Sequence, residues 1–198
     1  MAPVDSRASL ALTEMLDESW PAEDFPVRFK VAWSQFIYSL TFRAPNVIAR
    51  LQTTMDEQVA AGAIRRPEVP FRPAEVFPSM LASKTVMKVL LSMNWKTSRL
   101  DEAKHRLLTC DRSIIMTNGL ERPDAHIVLP ISPRTFFLAY RSDDVFDRIA
   151  WLSQDVLATS INDAMVRQAI DFVYAYDDSQ SRFIQNRFGE RLRSSPLG

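Results

Sequence analysis

Residues 126–140 read HIVLPISPRTFFLAY, two apolar runs separated by Ser132-Pro133-Arg134. Short runs rich in β-branched and aromatic residues and bounded by turn formers read as strands, and so brief a connection makes them neighbours. Toward the N-terminus, Trp95–Leu100, His105–Cys110 and Ser113–Thr117 share this character. Asn118-Gly119 supplies a turn whose residues tolerate positive φ. The stretch therefore predicts a small antiparallel sheet of four or five strands over about 95–140.

On either side the period lengthens to 3.6. Phe29, Trp33, Phe36, Ile37 and Leu40 place five large apolar groups on one face and predict a helix over 26–42. Pro45 disfavours simple continuation but suits the first turn of a new helix, which runs to about Ala61 with Ile48, Leu51, Met55 and Val59 inward and Gly62 as its stop. A third helix is expected over about 79–93. After Arg141, Val145, Ile149, Leu152 and Val156 form one stripe and Ile161, Met165, Ala169, Phe172 and Tyr176 the next, with Ser160 and Asp163 as a capping box between them. A last helix is expected over about 179–193. Pro67, Pro70, Pro73 and Pro78 make 63–77 a connector, and 1–8 and 194–198 read as loose tails. The fold class is α+β: one domain over 1–198, a mainly helical body around a small sheet.

The totals bound function. With 46% hydrophobic residues the chain lies in the globular range, and 24 basic residues cancel 24 acidic ones, so no long-range field gathers nucleic acid. Cys110 is the single cysteine, which excludes an intramolecular disulfide. No stretch approaches ~18 uninterrupted apolar residues, so no membrane span is expected and the cytoplasm is the default location.

Motifs exclude more than they assign. Four glycines never cluster, so neither G-x-x-x-x-G-K-[ST] nor G-x-G-x-x-G occurs, and no cofactor is implied. His105 and His126 both fall in the strand region, where ordinary sheet roles outweigh a shared metal, so no metal site is assigned. Ser132 lies in a Pro-Ile-Ser-Pro turn without a G-x-S-x-G context. Cys110 sits beside Asp111 and Arg112, but His105 has the opposite strand parity, and a buried, inert thiol is the favoured reading. Asp143, Asp144 and Asp147, like Asp177 and Asp178, suit helix starts. A nuclease built on Pro123-Asp124 lacks its lysine, because none follows Lys104. Arg182-Phe183 and Arg187-Phe188 interleave guanidinium and aromatic groups, a pattern that docks on a partner or packs as an amphipathic helix.

One resemblance covers about 25–189. Thr109 and Asp111 after a strand, the Pro130-Ile131-Ser132-Pro133 turn, Arg43-Ala44-Pro45, and a helix with Asn162, Ala169 and Val173-Tyr174 occur in an order that resembles the bacterial domain-of-unknown-function family 4238. Ser113 stands where that family has proline, and its N-terminal His-His-x-x-Pro segment is not found here. The resemblance implies the same architecture and no established activity. Physically, Asp111 after a strand suits an Asx-type turn that Asn162 can reach from the neighbouring helix, and with Arg134 these two are expected to form a polar cluster at one end of the sheet, with bracing favoured over a ligand site. Two functions follow: binding of a macromolecular partner, a protein or a second copy, through Arg182, Phe183, Arg187 and Phe188; or an enzyme acting on nucleic acid or nucleotide with Asp111, Arg134 and Asn162 at its site.

Overall fold

Every residue of Thr135–Tyr140 is buried, so this strand must be covered on both faces. The computed structural model describes residues 2–17, 25–43, 45–63, 84–117 and 119–190. In chain order its elements are α1 (Ala2–Leu16), α2 (Val27–Arg43), α3 (Pro45–Ala60), α4 (Lys84–Leu91), β1 (Asn94–Arg99), β2 (Thr109–Cys110), β3 (Ile115–Met116), β4 (His126–Ser132), β5 (Thr135–Tyr140), α5 (Asp143–Ala150), α6 (Gln154–Gln168), β6 (Val173–Tyr174) and α7 (Ser181–Gln185). The class is α+β, with a four-stranded antiparallel sheet ordered β1-β5-β4-β3 and a separate two-stranded ribbon, β2-β6.

The β4–β5 hairpin places Val128 opposite Leu138 and Leu129 opposite Phe137. The register shifts between Pro130 and Ser132, which makes Ile131 the extra residue of a bulge. β3 pairs only with Ile127 and Val128, so Pro130 lies beyond that pairing, where its missing N–H is tolerated.

Side-chain alternation sends the strands' apolar groups into two cores. On one face Val128, Phe136, Leu138 and Tyr140 pack with Val145 and Ile149 of α5 and Leu157, Ala158, Ile161, Ala164 and Met165 of α6. On the other, Ile127, Leu129, Phe137, Ala139 and Trp95 pack with Ala8 and Ala11 of α1, Trp33 and Ile37 of α2, and Leu90 of α4. Phe137 meets Trp95 edge-on at 5.1 Å and Trp33 at 5.8 Å, geometries in which the positive ring edge faces the negative ring face. The Trp95 indole also donates to the Leu90 carbonyl at 3.2 Å, tying β1 to α4.

Several expectations need correction. Of the run 105–110 only Thr109-Cys110 is extended, and it pairs with β6 rather than joining the sheet. The helix stripe drawn through Phe172 and Tyr176 is wrong, because α6 stops at Gln168 and Ala169 turns to ψ 144°. The break between the last long helices lies at Ser153, whose hydroxyl accepts from the Val156 amide, and Ser160 is interior to α6. Leu152 and Val156 consequently fall off the buried stripe. Residues 2–8, read as a tail, lie within α1, which buries Ala8. The final helix is shorter, Ser181–Gln185. Gly62 ends the second helical run as expected, at φ 71°, where a side chain would be strained. Residues 64–77 of the connector, 79–83 of the third helix and the tail 194–198 lie outside the described residues.

Candidate functional site

The chain between β1 and β2, residues 100–108, has little regular structure, and its backbone groups find partners elsewhere. The Arg134 guanidinium, carried by the β4–β5 turn, donates to the carbonyls of Leu100, at 3.2 Å, and Ala103. The amides of Glu102 and Lys104 donate to Gln154 Oε1 at 2.9 Å and Asp155 Oδ1 at 2.6 Å, in the first turn of α6. Leu107 N–H reaches the Pro133 carbonyl at 2.8 Å.

Asn162, almost wholly buried on α6, takes the next section. Its Oδ1 accepts from Leu108 N–H at 2.8 Å, and its Nδ2 donates to the Arg106 carbonyl at 2.8 Å and to Gln180 Oε1 at 2.9 Å. Gln180 Nε2 returns to the Arg106 carbonyl at 2.8 Å. Both amide hydrogens of Asn162 are thereby satisfied in the interior, where an unmet donor would be costly. Asp111 closes the far end: its two oxygens accept from Ile170 N–H at 3.0 Å and Asp171 N–H at 2.7 Å, the amides that follow α6.

Arg134 and Asn162 thus grip different parts of the segment 100–108 through its main-chain groups, while Asp111 at its end bonds the main chain that follows α6. No hydrogen bond joins the three to one another among the described residues. Gln180, half of the inner clamp, escaped the sequence reading, since nothing in Ser179-Gln180-Ser181 marks a buried amide.

Nearby reactive groups are quiet. Burial pushes the Cys110 thiol up to about 11, outweighing Arg112 beside it. His126 is buried on β4 with Nδ1 3.1 Å from the Asp124 carbonyl and Nε2 unpartnered. Desolvation lowers its pKa, so the ring is neutral. Among the described residues no group of three or more His, Cys, Asp and Glu is arranged to hold a metal. A small, shallow cleft lies in the other layer, lined by Met15, Phe25, Trp95 and Phe137 with Glu14 and Lys96.

The arginine–phenylalanine segment divides. Arg187 donates to Asp163 Oδ1 at 2.8 Å and lies 3.9 Å over the Phe183 ring, so these two face α6. Asp163 also holds Arg167, which reaches Glu190 at 2.5 Å. Arg182 and Phe188 are exposed.

The family model described as a protein of unknown function, DUF4238, matches residues 1–179. The chain belongs to this family. The DUF4238 match includes all three anchors Asp111, Arg134 and Asn162, and stops one residue short of Gln180. No match was found among curated proteins or among solved structures.

In this DUF4238 chain Asp111 fixes the turn that leads from α6 into β6, and β6 carries an aromatic stripe. Phe172, Tyr174 and Tyr176 are 60%, 55% and 67% exposed, while Val173 between them packs on the core. Phe172 and Tyr174 stack with ring centroids 6.3 Å apart, and the Arg106 guanidinium lies 3.7 Å over the Tyr176 ring. The signal was present in the sequence as the strict alternation of Phe172-Val173-Tyr174-Ala175-Tyr176, but a helical period passes through 165, 169, 172 and 176 as well.

Proposed function

We propose that this DUF4238 protein acts by binding a macromolecular partner, and that the contact face is built on β6. The supporting observation is the row Phe172, Tyr174 and Tyr176, large apolar groups left in water on a ribbon otherwise held rigidly from behind. Contiguous aromatic groups on a braced surface lose little side-chain entropy on contact and dominate interface energies. Arg182 and Phe188 are the part of the predicted arginine–phenylalanine surface left open to the same partner, whereas Phe183 and Arg187 hold α7 to α6.

Catalysis at Asp111, Arg134 and Asn162 has less support, because each is engaged with main-chain groups. A bacterial cytoplasmic setting belongs to the proposal. No helix among the described residues is long and apolar enough to cross a membrane, and the buried Cys110 thiol suits a reducing compartment.

The test is the triple variant Phe172→Ser, Tyr174→Ser, Tyr176→Ser in the full chain. It should keep its circular dichroism spectrum and melting temperature while losing any species that quantitative cross-linking joins to the wild type. Unchanged cross-linking by the folded variant would overturn the proposal.

A further inference from the structure

We propose that the partner is an extended, cationic polypeptide segment that adds as a strand along the outer edge of β6, its side chains lying across Phe172, Tyr174 and Tyr176. This deepens the binding reading above and rests on it. Three observations lead to it.

The first is the direction of the backbone groups. Thr109 stands opposite Tyr174 and Cys110 opposite Val173, and Asp111 N–H donates to the Phe172 carbonyl at 3.2 Å. In an antiparallel pair, residues on either side of such a bonded position turn their N–H and C=O away from the partner strand. On β2 this is seen directly, since Leu108 N–H leaves the ribbon for Asn162. On β6 the residue so turned is Val173, and no described group bonds its N–H or C=O. The ribbon therefore presents an unpaired edge, the template that strand addition uses.

The second is the stripe itself. A strand added at this edge places alternate side chains on the same face as Phe172 and Tyr174, close enough for cross-strand packing. Main-chain bonds and aromatic contact would act on the same few residues.

The third is charge, which selects among occupants. Between Arg167 and Arg182 the chain carries Asp171, Asp177 and Asp178 and no cation. All three are exposed at the ends of the stripe. Asp177 is kept ionised, its pKa lowered by the Ser179 hydroxyl and amide. Arg106 reaches the stripe, its guanidinium 3.7 Å over the Tyr176 ring, and offsets one of the three carboxylates, so the face stays net acidic. A phosphate backbone would meet these carboxylates directly. A second copy pairing antiparallel through β6 would bring the Asp171 end of one chain to the Asp177 end of the other, and like charges so placed repel. A lysine- or arginine-bearing strand meets neither penalty.

The experiment uses the full chain with three fluorescein-labelled probes: a decapeptide alternating Lys and Val, its Glu–Val counterpart, and a thymidine decanucleotide. Anisotropy should show saturable binding of the Lys–Val peptide alone. Asp171→Asn, Asp177→Asn, Asp178→Asn together should weaken it about tenfold, the scale expected for three exposed charges. Tyr174→Ser should also weaken it, and amide exchange at Val173 should slow in the complex. Preferential binding of the oligonucleotide would overturn the inference, as would Val173 protection that rises with protein concentration without peptide, the mark of a second copy. Peptide binding indifferent to Tyr174→Ser, or leaving Val173 exchange unchanged, would overturn it too. If no probe binds but the triple serine variant still loses its cross-linked species, the cationic-strand inference falls and the binding proposal stands. If the serine variant loses nothing, the proposal falls as well.

Discussion

Asn162 shows how much of this molecule rests on single side chains. It is nearly inaccessible, and one short amide satisfies the Leu108 N–H, the Arg106 carbonyl and the Gln180 amide oxygen. Asn162→Ala leaves the Leu108 donor buried without a partner and should cost about 1–3 kcal/mol, read as a fall of at least a few degrees in melting temperature. Asp111→Ala should cost less, because the Ile170 and Asp171 amides it releases lie nearer solvent. A pH effect belongs to His126. Its folded pKa lies below the ordinary 6.5, so the folded state resists a proton that the unfolded state accepts. Stability should therefore be level above 6.5 and fall as pH drops from there toward the depressed value, and His126→Phe should remove that slope in a melting-temperature series. Cys110, raised to about 11, should resist alkylation at pH 8 in the native protein and react once it is unfolded.

At the scale of elements, what could be read in the sequence tracks the strength of each periodic signal. Phe29, Trp33, Ile37 and Leu40 give one unambiguous face, and α2 lies within a residue of its expected bounds. Thr135–Tyr140 matches to the residue because its composition and its turn agree. Failure came where two periods fit the same residues, as at Phe172–Tyr176, or where a tertiary partner decides. Nothing within 105–108 tells that Asn162 and Gln180 will hold it as a loop. Asp111, Arg134 and Asn162 were expected as one polar cluster, whereas each is engaged with main-chain groups, which residue types do not reveal. Ser153, not Ser160, starts α6 because only Ser153 precedes an unbonded amide. Ser153→Ala should cost about 1 kcal/mol, or about 2–4 °C, whereas Ser160→Ala should be neutral or slightly stabilising.

For the whole molecule the governing fact is that β5 serves two cores with adjacent residues. Phe137 faces α1 and α2, and Leu138 faces α5 and α6. Phe137→Ala and Leu138→Ala should each cost several kcal/mol, about 3–5 and 2–5 respectively, yet differ in signature. Phe137 touches the rings of Trp33 and Trp95, so its loss should shift tryptophan emission of the native state, while loss of Leu138 should leave emission unchanged. Equal shifts from both would mean that the two layers are not separately packed.

The loop at 100–108 is held in two ways: Arg134, Gln154, Asp155, Asn162 and Gln180 bond its amides and carbonyls, and Leu100, Ala103, Leu107 and Leu108 bury their side chains. At its exposed positions, the shape is consequently independent of spelling. Under saturation mutagenesis the exposed positions Glu102 and Lys104 should accept almost any residue except proline, while the distant anchors accept few, so that variation gathers where the chain looks most irregular and constancy where it looks most ordinary.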